Sequence, residues 1–140
     1  MSKVAVVYWS GTGNTEAMAS AVAEGVKEKG SEAVLMKSAE FDASMMDLYD
    51  SVDFGCPAMG DEILEENEFE PMFKACEVKL KDKKIALFGS YGWGDGEWMR
   101  NWENTCSGCG AAIVCDSVIC NDMPDDAAIR SCRSLGASLC

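Results

Sequence analysis

Residues 4–16 constrain the fold more than any other part of the chain. The stretch Val4-Ala5-Val6-Val7-Tyr8-Trp9-Ser10-Gly11-Thr12-Gly13-Asn14-Thr15-Glu16 passes from an apolar run through a hydroxyl- and glycine-rich turn into the opening of a helix. An apolar run without polar alternation predicts a strand covered on both faces, as in a parallel sheet. Ser10, Thr12, Asn14 and Thr15 can hydrogen-bond oxygen, while Gly11 and Gly13 let the backbone come close to a ligand. The helix adds unpaired N–H groups and a partial positive charge, so the turn reads as a phosphate cradle. No G-K-[ST] follows it, and Glu16 stands where a dinucleotide fingerprint needs its third glycine. The turn also lacks Lys and Arg. A single terminal phosphate therefore fits better than a triphosphate with magnesium. A turn that only caps the helix would use the same residues.

The remaining chain repeats the strand-then-helix order. After a helix over about 14–29, stopped by Gly30, come a strand near 32–36, a short helix near 42–49 capped by Asp42 or Ser44, and a third strand ending at Gly55-Cys56. The acidic stretch 65–70 suits the start of a helix that continues through 71–76. Residues 85–89 form the fourth strand, 97–106 a helix, and 111–119 the fifth strand; Asp125 or Asp126 caps a terminal helix. Five strands alternating with helices specify a three-layer, doubly wound α/β domain with a parallel sheet, spanning residues 1–140 as one unit. In such sheets ligands bind outside the carboxyl ends of the strands. The loops after strands 1, 3 and 4 all lie there.

Composition narrows the chemistry. The chain has 140 residues, 24 acidic against 12 basic, for a formal net charge of −12. Such a surface repels nucleic acid and anionic membrane and steers the protein toward basic patches on partners. No apolar run is long enough to span a bilayer and no cationic leader precedes a cleavage site, so the expected location is the cytoplasm. The eight cysteines then read as free thiols rather than disulfides. Cys106-Ser107-Gly108-Cys109 has redox or zinc spacing, but it falls where a helix ends, without the dipole that activates a thiolate. The chain contains no histidine, which excludes histidine-dependent metal or acid–base chemistry.

The other two loops suggest a flat ring. Ser90-Tyr91-Gly92-Trp93-Gly94-Asp95-Gly96 carries two aromatics among glycines, and an indole there is suited to stacking on a ring. A tryptophan tucked against the core edge is the alternative. Cys56-Pro57-Ala58-Met59-Gly60-Asp61-Glu62 offers a polarizable side chain at Met59, backbone freedom at Gly60, and a carboxylate at Glu62. A ring bearing one phosphate, with no cations to read a base, points to flavin mononucleotide (FMN).

The chain resembles flavodoxins, specifically the short-chain type of clostridia and related anaerobes. The resemblance covers nearly the whole length. It is carried by Tyr8-Trp9-Ser10-Gly11-Thr12-Gly13-Asn14-Thr15-Glu16, by Cys56-Pro57-Ala58-Met59-Gly60-Asp61-Glu62, by Phe88-Gly89-Ser90-Tyr91-Gly92-Trp93-Gly94, and by Asn121-Asp122-Met123-Pro124-Asp125. It implies strand order 2-1-3-4-5 and a low-potential one-electron carrier of non-covalent FMN, cycling between semiquinone and hydroquinone. By resemblance, Ser10, Thr12, Asn14 and Thr15, with the Gly13 N–H and the Ser90 hydroxyl, hold the phosphate, and Gly11 belongs to the same cofactor-binding turn. Met59, flanked by Ala58, covers the inner ring face and Trp93 the outer. Glu62 accepts from flavin N3–H, backbone groups of Gly92 to Gly94 and the loop at Asp122 meet the pyrimidine edge, and Tyr91 also belongs to the cofactor site. The Gly60–Asp61 peptide flips on reduction. The protein would be a monomer without turnover of its own, meeting basic redox proteins transiently.

Two other functions on this fold are less consistent with the residues. A flavin reductase needs a substrate pocket beside the ring, which Trp93 would occupy. A receiver-type signalling domain needs acids at the end of strand 1, where Ser10 stands, and a Lys after strand 5, yet no Lys lies beyond Lys84. Two residues depart from the flavodoxin pattern, the first being Pro57, which stands where the family often has Ser and removes one candidate hydroxyl. Asp53 interrupts a central strand where relatives carry aliphatics, and it would need a partner or a raised pKa.

Overall fold

The computed structural model describes residues 2–140. Strands β1 (Lys3–Tyr8), β2 (Glu32–Lys37), β3 (Ser51–Gly55) and β4 (Lys84–Tyr91) pair in parallel in the order β2-β1-β3-β4. The fifth position lies beyond β4, so the order is 2-1-3-4-5 as expected. It is filled by two pieces, β5 (Ala112–Ile113) and β6 (Val118–Asn121), both parallel to β4. The continuous strand expected over 111–119 is thus corrected. Ile85 pairs with Ile113 but Phe88 with Val118, so the edge strand uses more residues than β4 over the same distance. The excess leaves the sheet as a bulge, and there the Ser117 hydroxyl donates to Glu103 Oε2 at 2.6 Å.

Helices α1 (Asn14–Glu28) and α4 (Asp126–Ser138) cover one face of the sheet, and α2 (Phe69–Cys76) and α3 (Glu97–Gly108) the other. Residues alternate along each strand, so Val52 and Phe54 enter the α2–α3 core with Phe73 and Trp102, while Val4 and Val6 enter the α1–α4 core with Val22 and Leu135. The segment expected as a short helix near 42–49 is a 3-10 turn over Ala43–Leu48. Asp42 makes no side-chain cap there; it accepts instead from the Ser44 hydroxyl. At α4 the expected cap is present, with Asp125 Oδ1 accepting from Ala128 N at 2.8 Å.

Helix α2 begins at Phe69, two residues before Pro71, which the first turn tolerates. Its entry is held by Glu65, whose carboxylate accepts from the backbone N–H of Asn67 (2.9 Å), Glu68 (2.7 Å) and Phe69 (2.8 Å). Burial alone would raise this carboxyl, but the three donors outweigh it and hold the pKa below the usual value. Folding is then stabilised above the unfolded pKa, and that stabilisation is lost as pH falls through the lower folded value. Urea denaturation of Glu65→Ala should show a loss of about 1 kcal/mol at pH 7, shrinking toward pH 3. An unchanged midpoint would contradict the capping role.

Asp53 lies in the row Val6–Asp53–Ala86, on the α1–α4 side of the sheet. It is fully buried, and neither carboxyl oxygen has a hydrogen-bond partner. Burial raises its pKa well above the ordinary value. All eight cysteines are free. Within the Cys106–Cys109 pair, Cys106 faces the α2–α3 core and burial pushes its thiol up to about 12, which leaves it inert at neutral pH.

Candidate cofactor-binding site

Four loops meet at the carboxyl ends of the strands. A cleft of about 220 Å³ takes Gly11, Thr12 and Asn14 from the first turn, Ala58 and Met59 from the loop after β3, Ser90, Tyr91 and Gly92 from the end of β4 and its loop, and Asp122 from the last loop. The topology that predicted the convergence of three loops therefore brings in a fourth. Trp9 and Pro57, to which the sequence pattern assigns no ligand contact, also line the cleft. Trp9 closes the apolar run of the first strand. Its position as the last aromatic before a ligand-shaped turn was the available signal.

The first turn is shaped by Gly13, which precedes α1 at φ 99°, a conformation that favours glycine. Its N–H donates to Ser10 Oγ at 3.1 Å, so Ser10 braces the turn. The carbonyl of Gly13 accepts from Ala17 N at 3.0 Å. The N–H groups of Asn14, Thr15 and Glu16 thus precede the helical ladder and have no acceptor within α1. Thr15 is buried, and its hydroxyl is 3.1 Å from that of Ser90. That contact ties the first turn to β4. Ser10 and Gly13 line a neighbouring cavity on the β2 side rather than the cleft.

The turn after β3 is closed at its base by paired bonds, Met59 N to Ile63 O at 2.8 Å and Ile63 N to Met59 O at 3.0 Å. At its tip Gly60 has φ 48°, and Gly60 and Asp61 are exposed. Glu62 is buried with φ 59°, and its Oε1 accepts from Gly96 N at 3.2 Å and Glu97 N at 3.1 Å. Its carboxylate therefore rests on the start of α3. Gly94, at φ 88°, lies against it.

Beyond β4, Tyr91 packs against Trp98 with ring centroids 5.5 Å apart, and Trp98 Nε1 donates to Cys56 O at 3.1 Å. The Tyr91 carbonyl accepts from Asp122 N at 2.8 Å, which places the last loop at the cleft. Trp93 does not line the cleft and is 62% exposed. The alternative of a tryptophan tucked into the core edge is thus not what the structure has. These features fit FMN: open N–H groups and hydroxyls suit a phosphate, while Met59 and Tyr91 border space for a ring.

The family model described as Flavodoxin matches residues 6–136. A flavodoxin of Clostridium beijerinckii is 43% identical over 134 residues, covering 96% of each chain. One from Megasphaera elsdenii is 46% identical over 136 residues, covering 95% of each. The solution structure of two-electron reduced Megasphaera elsdenii flavodoxin superposes with a TM-score of 0.90 at 43% identity, covering 97% of both chains. Oxidised flavodoxin 1 of Bacillus cereus gives 0.85 at 26% identity, covering 99% of this chain and 97% of that one. A parallel sheet in the order 2-1-3-4-5, a hydroxyl-rich turn at the start of α1 and this similarity agree: the chain belongs to the flavodoxin family, FMN-binding proteins of electron transport.

Proposed function

We propose that the protein is a low-potential one-electron carrier whose FMN works between semiquinone and hydroquinone, without substrate turnover of its own. The observation that carries this reading is the meeting of a cation-free phosphate turn, Met59 and an exposed Trp93 loop at one end of a protein of net charge −12. The bound flavin supplies the redox chemistry; the chain sets its binding and its potential.

The N–H groups at the start of α1, with Ser10, Gly11, Thr12, Gly13, Asn14, Thr15 and Ser90, hold the phosphate. Met59, beside Ala58, covers the inner ring face and Trp93 the outer. Tyr91, Gly92, Gly94 and Asp122 border the pyrimidine edge. Gly60, flanked by Asp61, already has positive φ and no Cβ, so its peptide can turn toward the ring cheaply. Apolar cover and net negative charge both disfavour added negative charge on the ring, which lowers the potential of the last electron. The same charge favours transient, salt-sensitive docking of redox proteins with basic surfaces.

A single domain, monomeric and cytoplasmic, is the simplest form of such a carrier. Among the described residues no helix is long and apolar enough to cross a membrane. Titrating FMN-free protein with FMN tests the site. Trp93→Ala should weaken affinity by about tenfold, the equivalent of one good stacking contact. An unaltered dissociation constant would contradict the assignment of Trp93 to the ring.

A further inference from the structure

We propose that the groove between α2 and α3 is a second ligand site, taking a small uncharged aromatic molecule whose carbonyl oxygen accepts from the buried indole N–H of Trp102. Phe73, Lys74 and Glu77, from α2 and the turn that follows it, and Trp98, Trp102 and Thr105, from α3, recur at helical spacing. Each set therefore faces one way, and together they line a cavity of about 200 Å³. Phe73 and Trp102 meet edge to face, with ring centroids 5.6 Å apart. The cavity shares no lining residue with the cofactor cleft, and of the residues assigned to FMN only Glu62 reaches it. The proposal thus stands apart from the carrier function.

The polar group that calls for a ligand is on Trp102. This residue is 2% exposed, and its Nε1 has no hydrogen-bond partner. The neighbouring Trp98 donates from its own Nε1 to Cys56 O at 3.1 Å, so the fold satisfies one indole and leaves the other. A buried indole N–H normally finds an acceptor, and leaving it without one lowers stability. The walls suit a ring: Phe73, Trp98 and Trp102 are joined by Leu64, and an apolar cavity of about 150 Å³ already holds benzene. Charge excludes an anion as the acceptor. Glu70 and Glu77 both line the cavity, and among the described residues Lys74 is the one cation there, already paired with Glu70 at 3.6 Å. A neutral carbonyl oxygen meets these limits, and in a primary aromatic amide the adjoining NH2 can donate to the carboxylates.

Benzamide is the probe, titrated into the 15N-labelled full chain with and without FMN and followed by NMR. The Trp102 indole N–H resonance should move downfield as the hydrogen bond forms, and the shift should saturate. Benzoate, of the same shape but charged, should bind at least about tenfold more weakly. Trp102→Phe keeps a ring but has no donor, and at the Thr105 amide it should show benzamide binding weakened at least about fivefold. Thr105→Phe fills the groove from an exposed position and should abolish the Trp102 response; it carries the test should the Trp102 variant not fold. A Trp102 indole that does not respond overturns the site, as does equal binding of benzamide and benzoate. Added FMN should leave the benzamide affinity unchanged. Competition between the two would put benzamide in the cofactor cleft and would equally overturn the proposal.

Discussion

Asp53→Val is expected to stabilise the fold by roughly 2 kcal/mol at pH 7, because it removes a buried carboxyl with no partner and fills the space with methyl groups. The surroundings are apolar: Val6 and Ala86 flank Asp53 in the sheet, and the α1–α4 core covers it. Burial raises the folded pKa above that of the unfolded chain, so the folded state keeps its proton longer. Between those two values the folded state binds more protons, and stability falls as pH rises. The penalty is absent below the unfolded pKa and complete above the folded one. The advantage of valine should therefore grow from pH 4 to pH 7 in urea denaturation at one fixed FMN concentration. A valine variant less stable at pH 7 would mean that Asp53 has a role in the folded protein that its surroundings do not show.

The opposite effect is expected at Gly136. Helices α1 and α4 pack with their backbones in contact through two glycines. A Cβ at Gly136 would lie 2.1 Å from the Val22 carbonyl oxygen, and one at Gly25 would lie 2.0 Å from that of Arg133. Either contact must be relieved by moving one helix off the other. Alanine is the better helix former by about 1 kcal/mol, but overpacking costs about 1–3 kcal/mol. Gly136→Ala should thus lose about 2 kcal/mol by denaturant titration. Gly108, at the end of α3, has nothing within 4 Å of its added Cβ and serves as the control. Equal effects at the two sites would rule out close packing as the cause.

The strands of the sheet interior were legible because their apolar runs bury both faces, and the first turn because glycine and hydroxyl spacing carries its own meaning. The break in the edge strand was not. Val114, Cys115 and Val118 look like strand residues, and only the register against β4 shows that they cannot all stay in line. At the site, residue types identified the loops but not the directions of their side chains. Glu62 turns to the start of α3 because unpaired N–H groups lie within its reach, a contact between residues 34 positions apart. Trp9 joins the cleft because the chain leaves the sheet there, with Trp9 N still bonded to Gly55 O at 3.0 Å. The unmatched Asp53 was visible as an exception to the apolar run, and the structure leaves it without a partner.

Stepwise reductive titration of the FMN-loaded protein under anaerobic conditions tests the carrier function most directly. The account predicts two resolved one-electron steps, with a long-wavelength absorption band that rises and then bleaches. It also predicts a second step at lower potential than that of free FMN. A single two-electron bleaching without that band would contradict it.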